Sequence, residues 1–446
     1  MDRRKRAGLR KLTAGKALGT LVAIAPLIAA GGHAEVAAAK TFTVANGRSG
    51  GPGSLAETVR MANRHRGADR IEFRSGLRGS IPLGRNTNIT GSLRISGGRR
   101  APTLKGPRKG GTLNFEPAYP KRPNAEIALR LEDLRLDRVS LVVSGGSATE
   151  MQVVDSVLSG HGVDADGIAI DGDYGNTEVR VAGTTIQRFD GSGIAVESNY
   201  GDTDVERSTL TRSGFGLTTF KTFARVKNST ISGNSPGGGV LAEYYSGVEI
   251  TKSTISGNSA EAQGRRPATG GGIDAYYQAG ASVTNSTVSG NSAEGPGSAG
   301  GGIFGSVQVV SSTVTDNSAE RGGGIFSAPD CCGTNGVSVK NSIVAGNHAT
   351  SGADCDGSGG SGAPASKGGN VFGAAGCGIS LESDLSTADP GLGPLARNGG
   401  PTRTHLPLGG SPAIGHSLPT DLEDDQRGKP RDGDPDSGSV EVGDGR

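Results

Sequence analysis

Five aromatic residues recur at nearly matched places along the middle of the chain: Tyr174, Tyr200, Phe223, Tyr245 and Tyr277. The first three stand six residues after Ile168, Ile194 and Leu217; the last two stand five and four after Val240 and Ile273. Asp171, Glu197 and Glu243 each stand three residues after the same kind of aliphatic position. Aromatic rings stack on pyranose faces, and carboxylates accept hydrogen bonds from sugar hydroxyls. Two such rows side by side would make a ligand-binding groove for a polysaccharide. The competing reading is ring stacking at a corner, which stabilises a fold without binding anything.

The acidic residues suggest a second chemistry. Asp164, Asp166, Asp171, Asp173, Asp190, Asp202 and Asp204 fall close together, with Arg180, Arg207 and Lys221 available as bases. Hydrolysis of a glycosidic bond needs two carboxylates at a defined separation. Elimination from a polysaccharide calls for a base and Ca²⁺ held by oxygen ligands. If the chain is an enzyme, a polysaccharide lyase or glycoside hydrolase, then Asp171, Asp173, Glu197 and Lys221 are its candidates. Asp and Gly also simply make tight turns. No catalytic residue, metal site or cofactor is therefore assigned, Ca²⁺ being considered only for the runs at 164–167 and 171–173. The Gly-rich strings lack the Lys-Ser/Thr of a phosphate loop.

These side chains need a scaffold, and a repeat supplies it. Asn228-Ser-Thr-Ile-Ser-Gly-Asn234 returns as Lys252 to Asn258, Asn285 to Asn291, Ser311 to Asn317 and Asn341 to Asn347. The central aliphatic recurs at Leu158, Ile186, Leu210, Ile231, Ile255, Val288, Val314 and Val344. Such a period marks a stacked architecture. Five residues before each stands another aliphatic, from Val153 to Val339. Alternation in a strand has period two, so an odd offset places a corner between two short strands. A third aliphatic follows, usually after Gly, at Ile168, Ile194, Leu217, Val240, Ile273, Ile303 and Ile325, at a variable distance. Three short strands per repeat describe one coil of a parallel β-helix, and roughly ten coils are expected at about 4.8 Å spacing. Asn234, Asn258, Asn291, Asn317 and Asn347 would then stack as an amide ladder. Upstream, Ser54 to Asn63 reads as a short helix, with Ser54 as N-cap and Glu57 completing a capping box, suited to covering the open end.

Composition agrees with a solenoid. Of 446 residues 78 are Gly, aromatics are 4% and Trp is absent. A solenoid needs only a narrow apolar stripe per repeat. A net charge of +2 suggests neither nucleic acid nor an anionic membrane as partner. Arg3 to Lys16 is basic, Ala17 to Ala30 is apolar, and Ala37-Ala38-Ala39 is a small-residue site, the pattern of an export signal. All four Cys lie between 331 and 377. Cys355 and Cys377 would close a Gly/Ser-rich loop. The adjacent Cys331 and Cys332 would bridge each other, stay free or shuffle with that pair.

Two stretches resemble a known group. Thr41 to Asn46, Gly51 to Leu55 and Gly67 to Phe73 resemble the start of secreted bacterial right-handed β-helix proteins. Asp389 to Leu395, Asn398 to Thr402, Thr404-His405, Gly410 to Gly415 and Asp425 to Arg431 resemble the tail of the choice-of-anchor Q group. The resemblance implies an all-β fold, a pectate-lyase-like right-handed parallel β-helix with a short N-terminal capping helix. It also implies a Cys355–Cys377 bridge, export and frequent surface display. The expected organisation is a signal peptide at 1–39, the cap and first coils at 40–125 and β-helix repeats at 126–350. A disulfide-clipped C-terminal cap region at 351–431 and a flexible acidic tail at 432–446 complete it. The expected function is non-catalytic binding of a polysaccharide or other cell-envelope component by a monomer, secreted or at the cell surface, with no membrane span in the mature chain.

Overall fold

A computed structural model describes residues 38–98, 100–116, 127–144, 149–171, 177–197, 201–264, 266–328, 336–357, 363–373, 377 and 381–442. Nearly all of the expected export signal, together with Asp173, Tyr174, Tyr200, Cys331 and Cys332, lies outside these residues.

The chain winds as a right-handed parallel β-helix. Most coils lay one short strand on each of three sheets, here called faces 1, 2 and 3 in chain order, and four later coils add a short fourth strand, at Ser259–Glu261, Ser292–Glu294, Ser318–Arg321 and His348–Ser351. One coil illustrates the order: Thr149–Val154 on face 1, Val157–Val163 on face 2 and Ile168–Asp171 on face 3. Faces 1, 2 and 3 hold thirteen, thirteen and eleven strands among the described residues, all paired parallel with the coils before and after. The inward positions stack in register. Val153, Val181, Val205 and Val226 follow one another on face 1. Leu158, Ile186, Leu210, Ile231 and Ile255 do so on face 2. All are buried in one continuous core.

The odd offset between faces 1 and 2 has a simple cause. One residue at that corner takes a left-handed conformation: Asp155, Arg207, Asn228, Lys252, Asn285, Ser311 or Asn341, with φ between 45° and 51°. Asn and Asp tolerate this region better than most side chains. The next residue is a buried Ser whose hydroxyl accepts the backbone N–H of the corresponding Ser one coil earlier, at 3.1 Å from Ser229 to Ser253 and from Ser253 to Ser286.

The amide ladder forms as the repeat implies. Asn234 Nδ2 donates to Asn258 Oδ1 at 2.9 Å, Asn258 to Asn291 at 2.8 Å, Asn291 to Asn317 and Asn317 to Asn347 at 2.9 Å. It ends on Asp354, which accepts both the side-chain and backbone N–H of Asn347. A carboxylate is a fitting terminus because, when ionised, it only accepts. The Gly before the face 3 aliphatic, from Gly216 onward, packs against the same ladder. A Cβ at Gly272 would lie 2.5 Å from the Gly302 carbonyl oxygen and 3.0 Å from Asn291 Nδ2.

The helix spans Leu55–Arg64, and the Ser54 hydroxyl caps it by accepting the Glu57 N–H at 3.2 Å. Only half of the expected capping box forms, because the Glu57 carboxylate pairs with Arg60 instead. Leu55, Val59 and Ala62 are buried against the first strands.

The largest departure from the sequence reading is at the C-terminus. The chain from 420 onward includes the tail at 432–446 that is expected to be flexible. The described part of this segment is strapped along the outside of face 2. Asp425, Gln426, Ser437 and Ser439 are fully buried. Gln426 accepts from Thr287 at 2.6 Å and donates to Thr254 at 3.0 Å, and His405 bonds Ser289 at 2.7 Å. Outward-facing Thr and Ser of the repeat therefore find polar partners more than a hundred residues downstream. Cys355 and Cys377 are bridged, with Cys355 continuing the face 3 core stack after Ile325.

Candidate functional site

The outward side of face 3 carries the expected acidic row, with one interruption. Asp171, Glu197, Phe220 and Glu243 are consecutive in register. Asp171 and Glu197 are exposed on adjacent coils, while Phe220 separates Glu197 from Glu243. Lys221, also exposed, follows Phe220 and holds its ammonium 5.1 Å from that ring.

The aromatic row is real but is made of other residues. Phe220 lies 4.7 Å from Tyr244, and Tyr244 stacks on Tyr277 at 5.4 Å with planes 8° apart. Tyr276 joins Tyr277 to Phe304, which stacks on Phe326 at 5.4 Å. Of the three described members of the expected set, Phe223, Tyr245 and Tyr277, only Tyr277 belongs to this row. Phe223 sits instead at the start of a face 1 strand, Phe223–Lys227, beneath the Arg225 guanidinium at 4.7 Å. Tyr245 projects into solvent, 67% exposed. Counting from the inward aliphatic fails here because the corner after face 3 varies in length from coil to coil. A fixed offset then lands on different faces. Phe304 and Phe326 were legible by a shorter count, since each directly follows the aliphatic of a Gly-Ile pair.

The corner after face 3 uses the same left-handed backbone as the corner between faces 1 and 2. Tyr244, Tyr245 and Tyr277 have φ of 48°, 64° and 53°. A bulky side chain there costs on the order of 1–2 kcal/mol relative to glycine.

Beside this corner lies a pocket absent from the sequence reading. The segment after Ser259–Glu261 folds back through a Gln263–Arg266 bridge and covers the outer side of face 3. It encloses about 170 Å³ lined by Phe215, Leu241, Arg266, Thr269 and Asp274, among others. Asp274 occupies the outward register position between Leu241 and Phe304. Its Oδ2 accepts from the Thr269 hydroxyl at 2.6 Å, while Oδ1 is shut off from solvent without a partner. Burial pushes the Asp274 carboxyl up to about 7, and the nearby Glu243 charge adds to the effect. Burial also raises Glu243, opposed by Arg266. A carboxyl neutral just below pH 7 can donate a hydrogen bond or a proton.

A pH dependence follows. The folded state holds the Asp274 proton more tightly than the unfolded chain, where the carboxyl titrates near its ordinary 3.8. Stability from this group is therefore complete in acid and is lost as pH rises from about 4 through about 7. Amide exchange across 263–270 is expected to quicken over that range in the native protein. In Asp274→Asn the change is expected to disappear; an unaltered pH profile in this variant would exclude Asp274 as its source.

The family model described as the right handed beta helix region matches residues 166–386. No curated protein matches the chain. Among solved structures, pectate lyase Pel9A is similar at 13% identity over 91% of this chain and 96% of its own, with a TM-score of 0.40. The PL6 family alginate lyase AlyGC is similar at 12% identity over 82% of this chain and 55% of its own, with a TM-score of 0.36. Such likenesses carry no residue roles across.

Proposed function

We propose that this right-handed β-helix is an exported protein of the choice-of-anchor Q kind that binds a polysaccharide at its tyrosine corner. The observation that carries the reading is the continuous ring row from Phe220 to Phe326, in which Tyr244 and Tyr277 are about two-fifths exposed and parallel. A pyranose ring presents an apolar face to such a platform, and Glu243 beside it accepts from hydroxyls. Tyr245, exposed on the same coil, extends the contact area. Export is supported by the basic-then-apolar start of the sequence and by the Cys355–Cys377 bridge, which suits an oxidising compartment.

The test is retention of the purified protein on immobilised neutral and acidic glycans. Tyr244→Ala/Tyr277→Ala is expected to weaken retention by about tenfold or more, since each stacked ring contributes on the order of 1 kcal/mol. Unchanged retention in the double variant, or none by the native protein on any glycan, would sink the reading.

A second reading, hydrolysis, is favoured by the Asp274 carboxyl with Glu243 on the neighbouring coil. New reducing ends that vanish in Asp274→Asn would establish it. Ends that vanish instead in Asp171→Ala/Glu197→Ala would move the chemistry to the earlier coils.

A further inference from the structure

The opposite end of the β-helix carries a feature outside everything above. Where face 1 turns into face 2 in the first coils, successive coils line a groove of about 470 Å³. Arg78, Arg100 and Arg135 line it from three coils, together with the exposed Asp133 and Asp155. It runs on into a hollow of about 320 Å³ through the shared residues Arg78 and Arg100, and Arg74 lines that second part. All four arginines are exposed, and among the described residues none of them has a carboxylate partner.

The contrast with face 1 makes this informative. There, each arginine of the outward row is matched: Arg94 and Arg130 by Glu132, Arg180 by Glu206 at 3.5 Å, and Arg225 by Asp202 at 2.7 Å. The outward arginines of face 1 are thus neutralised, while four remain unmatched around this concavity. Counting formal charges, four arginines against Asp133 and Asp155 leave the lining at +2. Clefts of one sign concentrate ions of the other. A guanidinium offers a planar fork that fits carboxylate, sulfate or phosphate oxygens in pairs.

We propose that this groove binds an acidic polysaccharide, with Arg78, Arg100 and Arg135 taking successive anionic groups along the polymer. Successive coils rise by about 4.8 Å along the axis, while Arg78 and Arg100 stand just before Ser80 and Thr103, the positions in register with Arg135. The three guanidinium groups are thus spread along and across the groove, which suits a polymer carrying several anionic groups. A single-stranded nucleic acid is disfavoured because binders of that class stack bases on rings, and the one ring in the lining, Phe73, is half-buried. The inference does not rest on the tyrosine corner, which lies on another edge and several coils away.

The experiment uses the full chain and three probes: polygalacturonate for carboxylates, chondroitin sulfate for added sulfate esters, and dextran as the uncharged control. Calorimetric titration is expected to show binding of one or both acidic polymers, weakening steeply from low to high salt, with none to dextran through this groove. Arg78→Ala/Arg100→Ala is expected to weaken it by about tenfold or more, as loss of charge-assisted hydrogen bonds implies. Arg78→Lys/Arg100→Lys is expected to recover it only in part, because Lys lacks the fork. The same loss on Arg78→Ala/Arg100→Ala is expected in a Tyr244→Ala/Tyr277→Ala background, where the tyrosine corner no longer contributes, so failure of one site does not imply failure of the other. Full affinity in the Arg→Ala variant, or no preference for the acidic polymers over dextran, would overturn the proposal. So would binding of single-stranded DNA as tight as that of the acidic glycans.

Discussion

Asn291→Ala is expected to destabilise the β-helix by about 3–5 kcal/mol, although the residue touches no candidate site. Asn291 stands in the middle of the buried ladder. Its Oδ1 accepts both the backbone N–H of Asn258 at 3.1 Å and the Asn258 side chain at 2.8 Å. Its Nδ2 donates to the Ile255 carbonyl at 3.0 Å and to Asn317 Oδ1 at 2.9 Å. Truncation therefore leaves two donors and a carbonyl of the preceding coil without partners where water does not reach. It also opens a void beside Gly272, whose backbone packs against the Asn291 amide. Asn291→Asp keeps the acceptor and loses the donor, so it is expected to cost less than Ala if its carboxyl takes up a proton. Urea unfolding at pH 7 measures both. A change within the ~0.5 kcal/mol typical of a surface substitution would show that neighbouring coils absorb the loss.

Arg427→Ala is the second large effect, again expected at about 3–5 kcal/mol, this time within the C-terminal strap. The Arg427 and Asp425 side chains are 3% and 0% exposed and pair at 2.8 Å. Arg427 also donates to the carbonyls of Asn398 and Glu441, tying three parts of the strap together. Removing one partner of a buried pair leaves the other charge uncompensated. The surroundings make this worse. Asp425, Asp436 and Glu441 face Arg427 and Arg431, and the charge of nearby Asp432 adds to the negative excess. Burial accordingly pushes Glu441 up to about 7, with Arg431 opposing and Asp436 adding to the rise. Burial raises Asp436 as well. Because the folded pKa exceeds the unfolded value of 4.5, the strap is tightest in acid and loosens as pH rises through about 7. Limited proteolysis is expected to cut the strap of Arg427→Ala while sparing the coils, and to do so faster at pH 8 than at pH 5. Equal resistance of native protein and variant would show that Gln426 and His405 hold the strap without the charge cluster.

Much of the fold was legible because a repeat states the same physical instruction many times. The aliphatic of each phrase must point inward, so Leu158, Ile186, Leu210 and Ile231 form a rung on face 2. The offset of five required a corner, and a left-handed residue followed by a buried Ser makes it. From Ile231 onward the Asn three residues after the rung was readable as a ladder because identical amides at one height, each with a donor and an acceptor, can satisfy one another. The candidate site was less legible. Asp171, Glu197 and Glu243 were found at their register positions, but Phe220 came between them, and the ring row passed through Tyr244, Tyr276, Phe304 and Phe326.

The sequence by itself determined what faces inward: the three-strand coil, the core stacks, the amide ladder and the helix at Leu55–Arg64. Those positions are governed by alternation within a strand and identity between neighbouring coils, both local in the chain. Only the tertiary structure decided the outward side. Thr287 is buried because Gln426 covers it, Asp274 is raised because the 263–269 segment closes over it, and Arg78 joins Arg100 and Arg135 because the coils stack. An outward residue takes its environment from whatever is laid across it, and the corners and strap that do the covering follow no period.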